Sequence, residues 1–275
     1  MTADISTLEK KRSYLADPRH LLPMVRDAAE LLTLRLFDRA KRHYVVNLGR
    51  HVRGHAFDAR DTMPVLSYLD LSRFLGGEPP EQLNLPALEH IARAGLGGAP
   101  PYITMATIAA VLKPRVIFET GTFRGISALT FAMNSPESEI YTLDLPPDFT
   151  DANTATLTSG DVEWTRIVRG TTGIAFQGRP EAARIHQLFG DSLTFDVTGT
   201  VPEADLCLID GGHSYECVKA DTENAFKILK PGGLIVWDDY CWSLPGVSRY
   251  LHELSPTVPM QRLEGSAYVL HRKPG

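Results

Sequence analysis

The segment Val116-Ile-Phe-Glu-Thr-Gly-Thr-Phe-Arg-Gly-Ile-Ser127 admits few architectures. An apolar run, Val116 to Phe118, ends in the acid Glu119. A turn with Gly121 and Gly125 follows, then an apolar-rich stretch, Ile126 to Met133, that reads as helix. Strand, tight turn and helix in this order form the opening unit of a doubly wound α/β sheet. Glycine lets the backbone approach a ligand closely, and the helix start offers free N–H groups. The turn is therefore suited to a nucleotide-like cofactor.

The 275 residues, 43% of them hydrophobic, suffice for one large domain or a medium domain with a smaller one. A net charge of −5 gives no general attraction to nucleic acid or to an anionic membrane. The basic residues Arg35, Arg39, Lys41, Arg42, Arg50 and Arg53 read as a solvated helix face. Cys207, Cys217 and Cys241 are odd in number and lack paired spacing, which fits a reducing compartment and no zinc site. The N-terminus lacks a basic region followed by an apolar core, and no apolar run reaches the ~20 residues of a membrane helix. The expectation is a cytoplasmic protein.

Asp17-Pro18 is a helix start, with Leu21, Val25, Ala28, Leu32 and Leu36 at helical spacing. Glycine–proline breaks fall at 76–80 and 95–101, with a short helix, Leu85 to Ala94, between them. Residues 1–100 thus read as a helical extension, a lid or an oligomerisation element, and 101–275 as the main domain. In the latter, Ile103 to Leu112 is a helix. Strands are expected at Glu139–Asp144, Arg184–Phe189, Asp205–Asp210, Leu234–Trp237 and Ala267–Leu270. Ser214 caps a helix stopped by Lys230-Pro-Gly-Gly233, and Pro245 to Leu254 is another helix. Residues 146–179 form a long irregular segment, helical around Trp164 to Val168. Loops of that length are often functional.

Glu119, Asp144, Asp210 and Asp238 each stand at or beside the end of an expected strand. Ligands of open parallel sheets bind outside the carboxyl ends of the strands, so these acids should meet in one crevice. Asp210, Asp238 and Asp239 offer only oxygen, which suits a hard cation such as Mg²⁺. His213, between Gly211-Gly212 and Ser214, has an unperturbed pKa of about 6.5 and suits proton removal near neutrality. The same acids can instead cap helices or meet substrate directly. Tyr102, Tyr240 and Trp242 are candidates for a substrate wall.

Glu119-Thr-Gly-Thr-Phe-Arg-Gly125 resembles the acid-x-Gly-x-x-x-Gly motif of class I S-adenosylmethionine-dependent methyltransferases. It does not match the dinucleotide fingerprint, since Glu119 and Arg124 stand where glycines belong. The resemblance continues through Asp144, Gly190-Asp191-Ser192, Asp210-Gly-Gly-His-Ser-Tyr215 and Leu229 to Tyr240, nearest to small-molecule O-methyltransferases such as the sugar O-methyltransferases of antibiotic pathways. It implies a Rossmann-like, mostly parallel seven-stranded sheet. It implies that Glu119, Thr120, Gly121, Thr122, Gly125 and Ser127 surround the methionine part of S-adenosylmethionine. Asp144 would take the ribose, Gly190, Asp191 and Ser192 the adenine, and Asp210 and His213 the sulfonium end. In the metal-dependent sugar enzymes, an acid after the fourth strand and two after the fifth hold an ion, matching Asp210, Asp238 and Asp239. Those relatives often carry a further acid where this chain has Gly212, which passes the base role to His213.

The expected function is methyl transfer to a hydroxyl of a small molecule, a sugar or natural-product scaffold of secondary metabolism, with Mg²⁺ a possible assistant. His213, Asp210 and Asp239 would be catalytic, and a homo-oligomer is expected. Metal-independent transfer to nitrogen or carboxylate and a non-catalytic cofactor-binding protein stay open. The glycine spacing disfavours a nicotinamide dehydrogenase.

Overall fold

The computed structural model describes residues 63–87, 100–149, 156–241 and 244–275. The helix expected after Asp17-Pro18, the basic cluster, most of the 85–94 helix and Trp242 lie outside these residues.

The centre is a mixed, mostly parallel eight-stranded sheet with the order β1-β7-β8-β6-β5-β2-β3-β4 among the described residues. The strands are β1 (Val65–Leu66), β2 (Val116–Thr120), β3 (Glu139–Asp144), β4 (Ile185–Phe189), β5 (Ala204–Ile209), β6 (Leu229–Trp237), β7 (Gln261–Leu263) and β8 (Val269–Arg272). Only β8 runs antiparallel to its neighbours, β6 and β7. The helices are α1 (Leu71–Phe74), α2 (Pro100–Leu112), α3 (Ile126–Asn134), α4 (Ser159–Val168), α5 (Val197–Thr200), α6 (Tyr215–Ile228) and α7 (Pro245–Leu254). This is the Rossmann-like α/β architecture that the sequence implies.

Side-chain alternation explains the layers. Ile117, Leu206, Leu208, Leu234 and Val236 face one core with α2 and α3. Their neighbours Phe118, Cys207, Ile209, Ile235 and Trp237 face the other with α6 and α7. A sheet covered on both faces needs apolar residues at both parities, hence the unbroken apolar runs. Succession from β2 proceeds outward through β3 to β4, then jumps to β5 on the other side of β2. The crevice between the ends of β2 and β5 is therefore the switch point at which open α/β sheets bind ligands.

Beyond shifts of a few residues at element ends, the elements differ from the sequence reading as follows. The sheet has eight strands, not seven, because β1 joins the edge beside β7. That strand comes from the region expected to be a helical extension, and Leu66, Leu71 and Leu75 bury into the core from it. β7 was not foreseen; runs of three residues carry no legible period. The last strand begins at Val269 rather than Ala267. Finally, Lys230-Pro-Gly-Gly233 lies inside β6, where the register with β5 shifts between Ala204↔Leu229 and Leu206↔Leu234. The proline and glycines make an irregularity in the strand, with Gly232 bonded to Lys273 instead of to β5.

Gly121 sits at the switch point with φ +89°, and a Cβ there would lie 1.8 Å from the Asp210 carbonyl oxygen. Gly170 has a similar φ of +78° but open space around it. Gly170→Ala should therefore lose only about 1 kcal/mol for the left-handed backbone. Gly121→Ala should lose about 3 kcal/mol or more, since backbone must also move. Urea unfolding of the two variants checks this, and equal losses would show that the close approach is unimportant.

Candidate active site

The end of β2 is polar and dry. Glu119 is fully buried, and its Oε2 accepts from Thr142 Oγ1 at 2.6 Å. Its Oε1 is buried with no hydrogen-bond partner. Burial pushes Glu119 up to about 7, against the opposing help of Ser127 and Thr142. Thr122 and Thr142 share a 2.7 Å hydroxyl contact, and Gln187 Nε2 donates to Thr122 at 2.9 Å. Because Thr142 spends its proton on Glu119 and the amide nitrogen only donates, the direction is set. Protons run from Gln187 to Thr122 to Thr142 to Glu119.

The glycine turn follows. Gly125 takes φ +77° as the residue before α3, and Phe123 takes φ +48° without being glycine. That turn aims the Phe123 N–H at Asp144 Oδ2, 2.7 Å away. The other oxygen of Asp144 accepts from Leu145 N at 2.7 Å. Burial pushes the Asp144 carboxyl above its ordinary range, and these backbone bonds oppose the rise. At Gly125 the space for a Cβ is occupied by the Phe176 ring, 2.5 Å away, rather than standing open. Segment 171–178 lies along the turn, with Gly173 N bonded to Phe123 O and Ala175 N to Arg124 O.

At the end of β4, Gly190 N bonds Asp144 O, and Asp191 Oδ1 accepts from Leu193 N at 3.0 Å. The Ser192 carbonyl accepts from Asn224 on α6 at 2.7 Å. Gly190 thus lies beside Asp144, with Asp191 and Ser192 next in the chain.

The corner beyond β5 and β6 is acidic. Asp210 N bonds Thr120 O and Asp238 N bonds Ile209 O, so the strand ends stay in step past the sheet. Burial drives Asp210 well above the usual carboxylate range, and the charges of Asp238, Asp239 and Glu119 add to it. Burial and Asp239 push Asp238 up to about 7. Asp239 has φ +61°, and its Oδ2 meets His213 Nε2 at 2.6 Å. His213 Nδ1 meets Asp161 of α4. Burial alone would lower His213, but Asp161 and Asp239 overcome it and push the ring up to about 11. With both nitrogens donating, His213 holds no free lone pair. The base role expected of it is not available in this arrangement.

Asp210 and Asp238, with Gly211 to His213 and Asp239, line a small cavity floored by Val218, Trp237 and Val247. Among the described residues no group of three or more acids, histidines or cysteines is arranged to hold a metal. Asp239 turns to His213 instead of toward Asp210 and Asp238. Tyr102 belongs to the corner, its hydroxyl raised by burial and by Asp210, Asp238 and Glu119. Tyr240 instead hydrogen-bonds His252 on α7 at 2.7 Å.

Three residues here were not singled out from sequence. Tyr268 of the loop before β8 is buried beside Asp238, easing its charge without closing a full hydrogen bond. Asp221 is buried, accepts from Thr120 Oγ1 at 3.1 Å and is pushed by burial up to about 6. Its signal was legible: an acid on the face of α6 that carries Val218, Thr222 and Ala225. Asp161 had none beyond a helix-capping pattern with Thr158.

Residues 118–240 match a family described as a methyltransferase domain. No curated protein matches the sequence. Solved structures with a similar fold include the O-methyltransferase TomG of Streptomyces achromogenes, from tomaymycin synthesis, in complex with SAM. It is 19% identical, with 76% of this chain and 97% of that one covered and a TM-score of 0.49. Another is the SAH-bound methyltransferase PaMTH1 of Podospora anserina, 18% identical over 67% of this chain and 82% of that one, TM-score 0.49. Among the described residues, no helix is long and apolar enough to cross a membrane.

The unfolded chain gives up the Glu119 proton near pH 4.5, the folded chain near 7. Its contribution to stability therefore falls as pH rises between those values and is lowest above them. Glu119→Gln should match the parent near pH 4 and exceed its unfolding free energy by about 3 kcal/mol at pH 8. Urea titrations at the two pH values decide; a variant no more stable at pH 8 would refute the strained charge.

Proposed function

We propose that this domain transfers a methyl group from S-adenosylmethionine to a hydroxyl of a small molecule, with a sugar or natural-product scaffold as the acceptor class. The observation that carries the reading is the unpartnered buried oxygen of Glu119 beside the glycine turn. A ligand ammonium is the partner that would satisfy it, and an amino-acid end brings one. Asp144, at the neighbouring strand end, is a carboxylate that accepts from backbone N–H groups and suits a pair of ribose hydroxyls. Asp191 and Ser192 follow at the next strand end.

The cofactor supplies an activated methyl group and its leaving group. The chain's part is alignment and proton removal. Asp238, raised to about 7, is poised to accept the hydroxyl proton near neutrality, and Asp210 is its partner. His213 holds Asp239 in place by an ion pair and is not itself the base.

A metal-assisted form has its own support: the donor set of Asp210, Asp238 and Asp239 is all oxygen. It requires Asp239 to leave His213. Activity that survives EDTA supports the ion-free form, and activity restored by Mg²⁺ supports the other. A homo-oligomer and a cytoplasmic setting belong to the same proposal.

Calorimetry with S-adenosylhomocysteine is the first test, and absence of binding would end the reading. Asp144→Ala should weaken that binding by about 1–3 kcal/mol. Transfer of labelled methyl to a library of hydroxylated compounds identifies the acceptor. Asp238→Asn should then reduce kcat by about 100-fold or more.

A further inference from the structure

Asp161 is buried near the start of α4, and both of its oxygens are engaged. One meets His213 Nδ1. The other accepts from the His213 backbone N–H at 3.2 Å and from Thr158 N at 2.9 Å. Its own N–H donates to Thr158 Oγ1 at 3.2 Å. The carboxylate is thus fixed by the helix cap on one side and grips His213 on the other. The ring's far nitrogen then reaches Asp239 at 2.6 Å. A ring between two carboxylates must donate from both nitrogens, so replacing either acceptor by a donor turns it.

The surrounding backbone leaves the loop little freedom. A Cβ on Gly212 would lie 2.9 Å from Cys217 Sγ and 3.3 Å from Leu157 Cδ2. A Cβ on Gly246 of α7 would lie 2.4 Å from the His213 carbonyl oxygen. Farther along, Trp164 of α4 sets its edge against Phe123, with ring centroids 5.8 Å apart. Gly173 and Ala175 bond the same turn. One stretch, 156–178, therefore grips the glycine turn at one end and the acid corner at the other.

We propose that Asp161 is a positioning residue for methyl transfer: it holds the His213 ring against Asp239 and ties the acid corner to the segment lying along the glycine turn. It acts on the reacting atoms only through His213. The kinetic consequence rests on the function proposed above; the placement of the ring does not.

Asp161→Asn and Thr158→Ala separate this from helix capping. Both disturb the cap of α4, but only the first turns a donor on His213 Nδ1: the Thr158 and His213 backbone N–H groups hold the amide oxygen, which leaves the amide NH2 facing the ring. Proton NMR of the ligand-free protein should show both ring N–H signals of His213 in the parent and in Thr158→Ala. Asp161→Asn should lose the Nδ1 signal; its retention overturns the proposal. With the acceptor from the methyl-transfer screen, Asp161→Asn should lower kcat by about 10- to 100-fold. Its Kd for S-adenosylhomocysteine should stay within about threefold of the parent, because the cofactor acids are untouched. Equal losses of kcat in both variants would reduce Asp161 to a cap. A parent that methylates nothing would sink the proposed function, while the ring signals would still decide the placement.

Discussion

Between the ends of β2 and β5 there is no room for a side chain. The Asp210 carbonyl occupies the place where a Cβ of residue 121 would be, and Thr120 O accepts from Asp210 N at 3.1 Å. This backbone contact sets the distances among the acids. Glu119 precedes it on one strand and Asp210 ends the other, while β6 holds step through Asp238 N and Ile209 O. Pull the strands apart by one methyl group and the crowding that raises these carboxylates relaxes.

Crowding has an electrostatic consequence. Glu119, Asp210, Asp221 and Asp238 are all raised, with burial the largest cause in each. Buried like charges keep protons or find a cation. His213 is that cation for Asp239 and Asp161, and the two carboxylates in turn keep it charged. The corner is therefore a mixture of protonated acids and one clamped ion pair, a composition that permits proton transfer without large changes in net charge.

Long periodic elements were legible in the sequence. β3 and α7 fall at the residues that alternation and the proline start indicate. The strand-end acids were legible too, because parallel-sheet topology fixes their side of the sheet. β1 and β7, two and three residues long, were not, since pairing with a neighbour creates them rather than any pattern of their own. Lys230 to Gly233 reads as a terminator because local propensity cannot show that β8 will supply the missing bonds. His213 was read by its unperturbed acidity. Its partner Asp161 lies 52 residues away, in a segment without period, so the clamp that removes the lone pair is invisible until the chain is folded.

The row from Gln187 through Thr122 and Thr142 to Glu119 has one more implication. Because every link points the same way, the row ends in a carboxyl whose unpartnered oxygen, once Glu119 is ionised, can only receive. A visitor must present hydrogen there, so an ammonium is welcomed and a carboxylate turned away. Recognition at this spot is a matter of polarity rather than shape. It decides which end of an asymmetric ligand enters first, before any reacting atom is in place.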